Sequence, residues 1–108
     1  MKVYLSLPIS GYDETERRRY AAMTGARLME EHEGWEVINP FHIASRVRKE
    51  KLDEGDWGLP TYDELMSADL KALRGCDLIV LCPGWHLSDG CMEEWVESLR
   101  LGMEHLFV

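Results

Sequence analysis

The 108 residues carry 20 Asp and Glu against 12 Lys and Arg, a net charge of −8 at pH 7, and 45% of them are hydrophobic. A chain of this size buries roughly two-thirds of the surface it exposes when unfolded, enough for a single core and hence one domain over 1–108. Its Trp, Leu and Val content excludes a disordered tail, no run of about 18 apolar residues is present to span a membrane, and the acid excess opposes a nucleic-acid polymer as partner, since phosphate contacts need clustered Lys and Arg.

The opening MKVYLSLPIS is interrupted by Pro8 too early for a signal peptide, so a cytoplasmic protein is expected. Within it Lys2 to Leu7 is an apolar, β-branched and aromatic run closed by Pro8 and Gly11, which predicts a first strand. Asp13 with Glu16 has capping-box spacing and opens a helix to about Glu33, stopped by Gly34. Ala21, Ala22, Gly25, Ala26, Leu28 and Met29 form a small-residue stripe that lets this helix lie close to a sheet. Trp35 to Asn39 predicts a second strand ended by Pro40. From Phe41 to Pro60 the signal is mixed, with a helical turn or two in FHIASRVRKEKL followed by loop. Thr61 and Glu64 form another capping box, opening a helix to Gly75. Asp77 to Cys82 is uniformly apolar after its first residue, the pattern of a strand buried on both faces. Pro83 and Gly84 break it, a helix runs from Ser88–Gly90 to Gly102, and Leu106 to Val108 predicts a last strand.

This alternation implies a parallel sheet of four or five strands with helices on both faces, in the order 2-1-3-4 with any fifth strand outermost. Ligands of such sheets sit beyond the carboxyl ends of the strands, at the switch in strand order. Two loops are thereby singled out, Pro8-Ile9-Ser10-Gly11 and the segment Pro83 to Gly90. Both lead to helix N-termini, which favour anions. Ser10, Gly11, Ser88 and Gly90 can either cradle a phosphate or simply cap and turn the chain. Arg17, Arg18 and Arg19 oppose the dipole of the helix they begin, yet successive side chains point about 100° apart, so at most one or two can face the first loop. The alternative is a solvated face paired with Asp13, Glu14 and Glu16. Asp89 and Glu94 lie about one turn apart and can flank one ligand, Glu93 points to another face, and Asp69 can reach the same cleft. Paired carboxylates beside a phosphate cradle suit glycosidic chemistry. Trp85 either stacks on a base or contributes to a core or dimer contact, and His86 is a surface residue or a proton donor at the loop. Cys76, Cys82 and Cys91 are odd in number without CxxC spacing, so reduced thiols are expected. His32, His42 and His105 lie in separate elements, and no metal is expected.

Over nearly its whole length the chain resembles the nucleoside 2-deoxyribosyltransferase superfamily. The resemblance is carried by Val3-Tyr4-Leu5 with Pro8-Ile9-Ser10-Gly11, by Asp69 to Asp77 (DLKALRGCD), and by Ser88-Asp89-Gly90-Cys91-Met92-Glu93-Glu94. The stretch PGWHLSDG is similar to short, phage-associated relatives, and RRRY to the 2′-deoxynucleoside 5′-monophosphate N-hydrolases. The resemblance implies a flavodoxin-like α/β sandwich that cleaves the N-glycosidic bond of a nucleoside or its 5′-monophosphate without a cofactor. By position it makes Glu94 the nucleophile, with Tyr4 orienting it, Asp89 holding a sugar hydroxyl and Asp69 bonding or protonating the departing base. Pro8, Ile9, Ser10, Gly11, Arg17, Arg19, Trp85, Ser88 and Gly90 are the expected substrate and phosphate contacts. Cys91 stands where the transferases usually carry Thr. The chain ends at Val108, without the segment that completes a neighbouring site in the transferases, which favours a hydrolase. The alternative from another class is a non-catalytic module that senses a nucleotide. Four Trp and a small sheet leave apolar surface to cover, so a homodimer or larger homo-oligomer is expected.

Overall fold

The apolar N-terminal run forms strand β1 (Lys2–Ser6) in the computed structural model, which describes residues 1–108. It is followed by helix α1 (Glu14–Glu31), strand β2 (Glu36–Ile38), helix α2 (Pro40–Asp53), helix α3 (Tyr62–Arg74), strand β3 (Leu78–Leu81), a short 3-10 turn (Trp85–Leu87), helix α4 (Asp89–Arg100) and strand β4 (Glu104–Phe107). All pairings are parallel and the strand order is β2-β1-β3-β4, so β1 and β3 are neighbours and the switch falls between them as expected. This is the flavodoxin-like α/β sandwich, with four strands.

The pleat of β1 sorts its side chains into two cores. Val3, Leu5 and Leu7 pack with Ala21 and Leu28 of α1, together with Leu78 and Val80 of β3. Tyr4 faces the opposite way, into the core that holds Ile43 of α2, Leu73 of α3, Ile79 and Leu81, with Trp95 of α4 packed against it. No helix is long and apolar enough to cross a membrane.

Several local expectations need correcting. The segment after Pro40 makes a helix of 14 residues rather than a turn or two. Pro40 does end the second strand, but it also occupies the first turn of α2, where its fixed φ and missing N–H suit a helix start, and the Asn39 side chain caps that turn by accepting from Phe41 N at 2.9 Å. The stripe of α1 that is buried is Ala21, Thr24, Gly25 and Leu28, whereas Ala22 and Ala26 are exposed. At Gly25 α1 lies close to β2, since a Cβ there would be 3.5 Å from Val37. The last strand begins at Glu104, because an edge strand with a solvated side tolerates Glu and His. The capping box of α3 is complete, with Glu64 N donating to Thr61 Oγ1 and Thr61 N to Glu64 Oε1, both at 3.1 Å. That of α1 is half formed: Asp13 accepts from Glu16 N at 2.8 Å, while the Glu16 carboxylate pairs with Arg17.

Candidate active site

Because Val3, Leu5 and Leu7 point toward α1, Tyr4 and Ser6 have to point toward the helices on the other face, and α4 meets them there. Cys91, Glu94 and Ser98, at i, i+3 and i+7, are the buried stripe of α4. The Tyr4 phenol donates to Oε2 of Glu94, and Ser6 Oγ donates to Oε1 at 2.8 Å. Glu94 is 5% exposed, and Tyr4 and Ser6 are fully buried. Both oxygens of one buried carboxyl are therefore held from the floor of the sheet.

Helix α3 supplies the facing wall. Met66 and Leu73 are its buried residues, and Asp69 lies between them on the same stripe. Asp69, Glu94, Ser10, Ser88 and Cys91 form the polar lining of a cavity of about 160 Å³, whose apolar side is Leu7, Ile9, Pro40, Leu65 and Met66. An adjoining space of about 320 Å³ is lined by Pro8, Tyr12, Gly84, Leu87 and Asp89, and shares Ser10, Tyr62, Ser88 and Gly90 with the first. Gly84, with φ +85°, sits under Tyr12 there, and a Cβ at that position would come 3.2 Å from the Tyr12 hydroxyl.

Burial sets the proton affinities. It pushes Glu94 up to about 8, opposed by the hydrogen bonds from Tyr4 and Ser6 and reinforced by the charge of Asp69. Burial pushes Asp69 up to about 7. Tyr4 is held well above the usual phenol range, by burial first and the neighbouring Glu94 second. Burial also raises the Cys91 thiol, against hydrogen bonding with Ser6 and Ser88. Two carboxyls that face one cavity and bind protons near neutrality can work as a pair, one giving and one lacking a proton.

The site thus brings together Tyr4, Asp69 and Glu94, with Pro8, Ile9, Ser10, Ser88, Asp89 and Gly90 lining one cavity or both. Ser88 also caps α4 by accepting from Cys91 N at 3.3 Å, so for this residue the capping and cavity-lining roles coincide. Four expected contacts lie elsewhere. Gly11, at φ +86°, serves the turn before α1 and lines neither cavity. The Arg17 guanidinium lies 4.7 Å and 4.8 Å from the ring centres of Tyr12 and Tyr20 and pairs with Glu16 at 2.6 Å. Arg19 lines neither cavity, since two residues of helix rotation turn it away from Arg17. Neither cavity is lined by any Lys or Arg. The 3-10 turn folds Trp85 back onto Trp95 and Phe107, at ring separations of 5.1 Å and 5.9 Å, so its ring belongs to an aromatic cluster over β4.

The sequence reading missed Ser6 and Tyr62, along with Tyr12 and the apolar wall of Leu7, Pro40, Leu65 and Met66. Ser6 carries a legible signal, a hydroxyl two residues from Tyr4 in an otherwise apolar strand. Tyr62, which donates to Glu93 at 2.5 Å and ties the start of α3 to α4 at the rim, carries none, because that contact depends on how the two helices pack. No group of three or more His, Cys, Asp or Glu side chains is placed to hold a metal ion.

The family model described as a domain of unknown function (DUF4406) matches residues 1–107, and the chain belongs to that family. No curated protein and no solved structure matches it.

Proposed function

We propose that this DUF4406 domain cleaves the N-glycosidic bond of a nucleoside or deoxynucleoside 5′-monophosphate, with Glu94 as nucleophile and water as the final acceptor. The observation that carries the reading is the buried Glu94 carboxyl, held by Tyr4 and Ser6 and opening with Asp69 onto one cavity at the strand switch. A Glu94 carboxylate oxygen bonds to C1′ as the C1′–N bond breaks, and Asp69 gives its proton to the departing base. Water then attacks C1′, its proton passes to Asp69, and Glu94 is released. Asp89 lines the adjoining space, where a sugar hydroxyl would reach it. A 5′-phosphate would be met by Ser10, Ser88 and the N-terminus of α4, since no Lys or Arg side chain lines the cavities.

The reading includes self-association of this chain. Met92, Val96 and Leu99 are spaced i, i+4, i+7 and exposed along α4, an apolar stripe that a second copy would cover.

The test is incubation with a panel of nucleosides, deoxynucleosides and their 5′-monophosphates, followed by chromatography for free base. Base released from the monophosphates is the expected result, and release from nucleosides alone removes the phosphate from the reading. Binding across the panel with no base released favours the rival class, a nucleotide-sensing module in which Glu94 only orders α4.

A further inference from the structure

A carboxylate hanging from a helix by three rotatable bonds has a variable plane, and a nucleophile needs a fixed one. One donor fixes one oxygen and leaves the carboxyl free to swing about it. Two donors, one on each oxygen, fix the plane. In β1 the alternation that points Tyr4 at α4 points Ser6 there too, so the two donors come from positions i and i+2 of one strand. Ser6 is firmly anchored in its own right. It is fully buried, its strand is paired to β3 at Leu81, and its carbonyl accepts from Cys82 N at 3.0 Å. A buried hydroxyl between Leu5 and Leu7 is costly without a partner, and Ser6 Oγ donates to Glu94 Oε1 at 2.8 Å.

We propose that Ser6 is a positioning residue: by holding Oε1 while Tyr4 holds Oε2, it sets the plane of the Glu94 carboxylate toward the cavity and favours its ionised form. The inference rests on the reading of Glu94 as the reactive carboxylate. The other titratable groups whose charge or hydrogen bonding acts on Glu94 or responds to it are Tyr4 from β1, Asp69 and Tyr62 from α3, and Cys91 and Glu93 from α4. Of these only Tyr4 also donates to the Glu94 carboxyl.

The test compares wild type with Ser6→Ala and Ser6→Cys in the whole protein. The Glu94 side-chain carboxyl is followed by carbon-13 NMR through a pH titration, and kcat and KM for base release are measured alongside. Loss of a donor to the charged form is expected to raise the Glu94 midpoint by roughly one pH unit in Ser6→Ala, and to lower kcat by about tenfold with KM nearly unchanged. Ser6→Cys, close in volume and a weaker donor, is expected to fall between; it alone suffices if Ser6→Ala does not fold. A loss of packing alone would leave the midpoint in place. A midpoint equal to that of wild type in the folded variant overturns the proposal. If wild type releases no base from any substrate, the reading of Glu94 as nucleophile fails, while the titration still decides whether Ser6 governs this carboxyl.

Discussion

Glu94 and Asp69 face the same cavity, and burial raises both, to about 8 and about 7. The proposed reaction needs Glu94 ionised and Asp69 protonated. Raising the pH through about 7 removes the first proton from the pair, so kcat/KM is expected to rise there; raising it through about 8 removes the second and takes away the acid, so kcat/KM is expected to fall. Between these values the two carboxyls share a single proton. A profile of kcat/KM against pH should therefore be bell-shaped and narrow, with a maximum near pH 7.5, and a profile flat from pH 6 to 9 would contradict the pairing. At this scale the acid residues were legible in the sequence, because Asp69, Asp89 and Glu94 stand in motifs. The Tyr4 contact with Glu94 was expected from the resemblance, but the second donor, Ser6, was not. Its contact depends on which face of β1 meets α4, a consequence of packing. The arginines misled for a related reason: their number was visible, but the rotation of α1 that turns Arg17 onto Tyr12 and Tyr20 was not.

The elements were legible where local chemistry and burial agree. Strand β3, apolar throughout, and helix α3, with its complete capping box, occur where the sequence puts them. Helix α2 was obscured because Pro40 has two meanings, a strand terminator from one side and a first-turn helix residue from the other. Charged residues over its second half weaken the periodic signal further, and Lys51 shows what they do there: it pairs with Asp56 at 3.2 Å and Glu64 at 2.8 Å, closing the loop between α2 and α3. The start of α2 matters to the site because Pro40 lines the cavity. Asn39→Ala removes the cap on Phe41 N and is expected to cost about 1 kcal/mol, seen as a fall in Tm of roughly 4 °C in a thermal melt. An unchanged Tm would show that water replaces the cap without loss.

At the scale of the whole molecule, an acidic chain of 108 residues with net charge −8 places three carboxylates at one sheet end and lines the two cavities there with no basic side chain. The acid excess opposes a polymer of phosphates as partner, and any single phosphate at these cavities would have to rely on hydroxyls and a helix N-terminus. The exposed stripe on α4 lies on the helix that carries Glu94 on its inner side, so self-association and the site would be coupled through one element. Val96→Glu places a charge in the middle of that stripe, at a position 59% exposed, and is expected to shift the protein to monomer in sedimentation velocity without loss of helix content. A wild-type protein that already sediments as a monomer would contradict the self-association.

The role of Glu94 as nucleophile is tested by base release from wild type and Glu94→Gln side by side at pH 7.5. Gln fills the same volume and can still bond to Tyr4 and Ser6, whose hydroxyls can donate or accept, so the fold and ligand binding are expected to persist. Free base from wild type, with release slowed by at least about a thousandfold in Glu94→Gln, is the predicted result. Equal release by the two proteins would contradict it.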